Sequence, residues 1–216
     1  MMKSFNRSAP TRRMFLAGAG LLAATPALAQ SASRITPEGR KLAAALDAFE
    51  VEKHWIAGAH VNWETGDPDG RPVSSKGRHT HCSAFVASAA KRLGVYILRP
   101  PDHGQVLLAN AQFDWLRSTG GAHGWSRVAS LRAAQDLAND GRLVVAAYRS
   151  HYDNTPGHIA IVRPGDLSAE VIAAEGPRVA QAGNVNSSSV SLRQGFAGHP
   201  AAWNKREAEF FAHDLN

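Results

Sequence analysis

Apolar residues recur at helical spacing in four places along the chain. Leu42, Ala45, Leu46 and Phe49 follow Thr36-Pro37-Glu38, where threonine can cap and proline opens the first turn. That spacing predicts a helix over 36–53. Cys82, Phe85, Val86, Ala89 and Leu93 share one stripe of a second helix, predicted from Cys82 to Leu93 and ended by Gly94. Val106, Leu107, Asn110, Phe113 and Leu116 predict a third over 106–116, and Ser130 caps a fourth that runs to Asn139. Beyond Gly141 the period changes. Leu143–Tyr148 and His158–Val162 are short, nearly continuous apolar runs set off by Pro156-Gly157 and Pro164-Gly165, the pattern of buried strands. Glu170–Ala174 reads as a third strand, Val179–Gln181 and Val190–Leu192 as further short ones, and Asn204 as the cap of a terminal helix through Phe211. Helices first and antiparallel strands later make an α+β layout. Between the first two helices lies a loop, Gly58–Arg78, rich in Gly, Pro, Asp and Asn, and loops of that length in compact domains are often functional.

The first thirty residues stand apart from this pattern. Lys3, Arg7, Arg12 and Arg13 precede a short apolar run, Met14–Ala24, and Ala27-Leu28-Ala29 offers a small-x-small cleavage site before Gln30. The run is too short to span a bilayer, and Thr11-Arg12-Arg13-Met14-Phe15-Leu16 resembles a twin-arginine signal. Residues 1–29 are therefore read as an export signal and 30–216 as a single periplasmic domain. Removing the four cations of the signal lowers the formal charge from +6 to about +2, so the basic balance argues no nucleic-acid partner. The mature chain has no membrane-spanning run and is expected to be a monomer.

Cys82 is the only cysteine, so no disulfide can form within the chain. It opens its helix, where free N–H groups and the helix dipole favour a thiolate and can bind an oxyanion. A buried, inert thiol is the plain alternative, and helix position alone leaves the two even. His158 opens a core strand after Gly157, whose missing side chain leaves the ring accessible. A cysteine at a helix start and a histidine on a later core strand are the pieces of a thiol–imidazole pair.

Cys82-Ser83-Ala84-Phe85-Val86 and Gly157-His158-Ile159-Ala160-Ile161-Val162 resemble the two signature motifs of the NlpC/CHAP group of papain-like cell-wall peptidases. Similarity is greatest to the type VI secretion amidase effectors of the first family, and it covers residues 80–196. The resemblance implies a papain-like fold, with N-terminal helices packed on a small antiparallel sheet. It also implies hydrolysis of an amide in peptidoglycan stem peptides, between γ-D-glutamate and meso-diaminopimelate in those effectors. It makes Cys82 the nucleophile, His158 the general base and Glu175, on the following strand, the group that orients His158, with Gln181 in reserve. The export signal departs from the effectors and favours an enzyme acting on its own producer's wall. Two rivals stand beside this reading: an acyltransferase or deamidase using the same thioester, and a non-catalytic wall-binding module. No cofactor is expected. His79, His81, His103, His123 and His151 are read as loop histidines rather than metal ligands, since His79-x-His81-Cys82 lacks a second ligand cluster. Trp55, Trp115 and Trp125 read as anchors, and Trp63 as a residue that could stack on substrate.

Overall fold

A computed structural model describes residues 1–2, 35–72 and 79–215, so the segment read above as an export signal, apart from Met1 and Met2, lies outside the described residues. Six antiparallel strands form one sheet: β1 (Ser126–Val128), β2 (Leu143–Tyr148), β3 (His158–Val162), β4 (Arg178–Gln181), β5 (Ser187–Ser191) and β6 (Glu209–His213). Their order is β1-β6-β2-β3-β4-β5, so the last strand of the chain is inserted between the first two. The α+β layout thus holds, with helices covering both faces of the sheet. Alternation along the central strands assigns the faces. Val145, Ala147, Ile159, Ile161, Ala180 and Phe211 belong to one core, with α1 (Pro37–Asp47) and α2 (Cys82–Arg92). Val144, Ala146, Ala160, Val162, Phe210 and Ala212 belong to the other, with α4 (Leu131–Asn139). Central strands buried on both faces explain why their sequence runs are continuously apolar.

Three elements differ from the sequence reading, each for a local reason. The first helix stops at Asp47 rather than continuing to 53, because Glu50 takes a left-handed conformation (φ 47°) and turns the chain. Residues 169–175 form a helix, α5 (Ala169–Glu175), not a strand. The Ser168 side chain accepts a hydrogen bond from the Val171 N–H and caps it, and three alanines supply helix propensity. The expected terminal helix is instead a short α7 (Pro200–Asn204) followed by β6, whose Phe210 and Phe211 fill opposite cores.

The remaining predicted helices are present as α2, α3 (Leu108–Ser118) and α4, but Val106 and Leu107 stand outside α3, since Leu107 is left-handed (φ 54°) and Val106 is exposed, and Leu192 opens α6 (Leu192–Gly195) rather than ending a strand. α2 is buried from Cys82 to Ala90 on every side, not along one stripe. Its outer surface is alanine and serine, which lets residues 55–68 lie across it. Trp55 is wholly buried with its ring 5.3 Å from that of Phe85, and the Ser88 hydroxyl donates to the Glu64 carbonyl at 2.5 Å. The described part of the Gly58–Arg78 loop is therefore docked on α2. Trp63 packs under Lys91, 5.4 Å from its ring, at the end of α2 remote from Cys82. That position does not support its reading as a residue stacking on substrate at the site. Among the described residues, no helix is long and apolar enough to cross a membrane.

Candidate functional site around Cys82 and His158

Cys82 begins α2, the helix packed on β3, and is 4% exposed. Its sulfur lies within reach of three backbone N–H groups, those of Ile159, Ser83 and Cys82 itself. The first belongs to the residue after His158, so the helix start and the strand start meet. His158 is 5% exposed and, by strand alternation, lies on the Ala160–Val162 face, while Ile159 joins Cys82 in the opposite core. Cysteine and histidine thus approach the end of β3 from its two sides.

One ring nitrogen of His158 is committed. Nε2 lies 2.8 Å from Oε1 of Gln181, which is on the neighbouring strand β4 and 6% exposed. The amide orientation follows from its other end, because Nε2 of Gln181 donates to the Val185 carbonyl at 3.1 Å. Its oxygen therefore faces the imidazole, and an oxygen can only accept. His158 must carry its proton on Nε2, which leaves Nδ1 as the basic nitrogen. Close packing holds this pair. A Cβ on Gly195 would stand 2.7 Å from the Gln181 oxygen, and one on Gly183 would stand 3.5 Å from Cε1 of His158. Asn186 pins the loop after β4 by accepting from the Gly183 N–H and donating to the carbonyls of Val51 and His54, each at 2.8 Å.

Glu175 is elsewhere. Because 169–175 is helical, its carboxylate ends α5, where it accepts from Ser191 and from Arg193, each at 3.2 Å. The structure pairs His158 with Gln181, brings the backbone N–H of the residue after His158 to the Cys82 sulfur, and leaves Glu175 outside. The reserve residue occupies the position that sequence reading assigned to the carboxylate. The error followed from placing a strand on 170–174, which moved the strand after His158 forward in the sequence.

The electrostatics also differ from the helix-start argument. Burial pushes the Cys82 thiol up, against the three N–H groups that favour the thiolate. Burial also takes the His158 imidazole down to about 4, opposed by the Gln181 acceptor. Both effects favour the neutral thiol and imidazole over a preformed ion pair. One consequence is measurable. Since the thiolate is the reactive form and its pKa is raised, iodoacetamide is expected to alkylate native Cys82 slowly at pH 6, faster as pH rises past 8, and always more slowly than in urea-unfolded protein. Intact mass against time at each pH reads this directly, and fast alkylation at pH 6 would contradict it.

Several residues that support the site carried little signal in the sequence. Asn110, in the apolar stripe of α3, uses Oδ1 to accept from Ser150 and Gly157 and Nδ2 to donate to the Thr155 carbonyl. It staples the 149–157 loop that delivers His158, and an amide inside an apolar stripe was the one hint. Gln112, wholly buried, donates to the Ser83 and Leu98 carbonyls and holds the first turn of α2. Phe196 and His199 pack on the His158 ring from a segment about forty residues later, which no local pattern signals. Among the described residues, no group of three His, Cys, Asp or Glu could hold a metal ion. His81, just before Cys82, is 7% exposed and is tied through Nε2 to the Ala59 carbonyl at 2.9 Å.

A concavity of about 1270 Å³ is not at this site. It lies between α4, α5 and β6, and its residues Arg127, Arg132 and Arg193 are paired with Glu209, Asp136 and Glu175. No family model matches the chain, and none of the curated proteins is significantly similar to it.

Proposed function

We propose that this protein is a cysteine amidase of peptidoglycan stem peptides, with a papain-like arrangement of Cys82, His158 and Gln181. It is exported to the periplasm and works there on its producer's wall once residues 1–29 are removed. The observation that carries the reading is the commitment of His158 Nε2 to Gln181. It leaves the basic Nδ1 on a residue whose immediate neighbour, Ile159, lies at the Cys82 sulfur. In this reading Nδ1 takes the thiol proton as the sulfur attacks the stem-peptide carbonyl. The Cys82 N–H helps hold the oxyanion. The imidazolium, stabilised through Nε2–H by Gln181, then gives its proton to the leaving amine as the C–N bond breaks and a thioester forms. Water attacks the thioester while His158 takes a proton from it, the C–S bond breaks, and thiol and carboxylic acid are released. The bond cut is γ-D-glutamyl–meso-diaminopimelate, as the motif resemblance implies. No cofactor takes part.

Digestion of purified muropeptides, followed by mass spectrometry, tests this. The mature protein should release fragments ending in D-glutamate. Gln181→Leu should lower the rate about 10²-fold by freeing the imidazole, whereas Glu175→Gln should leave it unchanged. A muropeptide profile identical with and without enzyme would sink the proposal. The burial of Cys82 favours one rival, a wall-binding module with an inert thiol, and that rival predicts sedimentation with intact wall but no acyl-enzyme. An acyl-enzyme that transfers to added amines in preference to water would instead mark an acyltransferase.

A further inference from the structure

His199 lies outside the proposed catalytic trio, yet its ring is stacked on that of His158. The two planes are 14° apart with centroids at 5.6 Å. His199 is held there by its backbone, because it precedes α7, its N–H donates to the Phe196 carbonyl at 2.8 Å, and its own carbonyl accepts from Ala202. Its ring also leans on Tyr148 at 5.5 Å, and Tyr148 is the cross-strand partner of His158 in the β2–β3 register. Phe196 closes the remaining side with a near-perpendicular contact at 4.6 Å and 74°. His158 is thus framed by one parallel face, one aromatic edge and the Gln181 amide.

From this geometry we infer that His199 is a positioning residue. Its flat face fixes the plane of the His158 ring and keeps water from the Nε2–H···Oε1 bond, so that the proton stays on Nε2 and Nδ1 stays the basic nitrogen. A single hydrogen bond leaves the imidazole free to swing about it, and a parallel ring removes that freedom at little cost in side-chain entropy. The contact also asks that His199 be neutral, since two stacked imidazolium ions would repel. Burial and the neighbouring His158 lower its basicity to about 4, in keeping with this. What His158 needs from position 199 is the flat ring rather than its nitrogens. Histidine suits a half-buried site where a wholly apolar ring would face water.

The inference rests on the proposed role of His158, and its test separates the two. Full-length mature protein is prepared with His199→Phe, which keeps a flat ring, and with His199→Leu, which keeps bulk without one. ¹⁵N spectra of the imidazoles report the His158 tautomer, and muropeptide turnover reports kcat and KM. His199→Phe should retain the Nε2–H signature and a kcat within about threefold of wild type. His199→Leu should average the two tautomers and lower kcat about tenfold or more with KM unchanged, because a small misalignment of the base is costly. Wild-type spectra and rates in both variants would overturn the inference, as would equal loss in both, which would put the requirement on the nitrogens. If the wild-type protein cleaves no muropeptide, the proposed function fails while the tautomer comparison still decides the role of His199.

Discussion

Cys82→Ala is expected to reduce muropeptide hydrolysis by about 10³-fold or more while leaving the fold intact. Removal of a nucleophile eliminates the covalent route altogether, and losses of that size follow when one member of a catalytic group is deleted. Folding should hardly respond. The side chain is small and only one sulfur atom is removed from its core, so about 1 kcal/mol is the expected cost. Circular dichroism and thermal melting check the second part, and mass spectrometry of muropeptides the first. Full activity in Cys82→Ala would remove the thiol from the mechanism. Loss of activity together with unfolding would be ambiguous, so Cys82→Ser serves as the companion. It conserves shape and should also fall far below wild type, because the weakly acidic hydroxyl gives up its proton to the low-basicity His158 even less readily than the thiol does.

The second large effect is expected at Gly157, one residue before His158. A Cβ there would lie 2.0 Å from the Tyr148 carbonyl oxygen and 2.7 Å from Asn110 Oδ1. Neither neighbour can yield. The Tyr148 carbonyl is part of the β2–β3 pairing, and Asn110 is 6% exposed and holds three backbone groups at once. Gly157→Ala must therefore push the 149–157 loop off its staple or open the start of the β2–β3 ladder. A destabilisation of about 3 kcal/mol or more is expected, near the top of the range for overpacking. In a chain of this size that corresponds to a drop in melting temperature of about 6–12 °C. Activity should fall further than stability alone explains, because the displaced segment carries His158. An unchanged melting curve for Gly157→Ala would show that the close approach to Tyr148 and Asn110 is not a real constraint.

What could be read from the chain depended on how local the determinant was. Helix starts at Thr36 and Ser130 were legible because a cap is a local signal, and each side chain accepts the backbone N–H three residues on, that of Gly39 or of Ala133. β2 and β3 were legible because strands buried on both faces must be apolar at every position. Ser168 carries the same capping signal for α5, but Glu170–Ala174 reads as a strand because Val171, Ile172, Ala173 and Ala174 are all apolar, and the misplacement of Glu175 follows from it. β6 was missed for a different reason. Glu209–His213 is too short to show a period, and its identity as a strand comes from pairing with β2 some sixty residues earlier and with β1.

The sequence by itself placed the two candidate side chains, Cys82 and His158, because each begins an element whose local pattern is strong. It also determined the α+β layout, since helix and strand periods are written in neighbouring residues. Only the tertiary structure decided which group orients the imidazole, how enclosed the thiol is, and that a second imidazole lies over the first. Gln181, Phe196 and His199 reach His158 by strand pairing and packing across 23 to 41 positions of chain. No local propensity encodes such contacts. They exist because burying both faces of one sheet leaves a single way for these segments to come together.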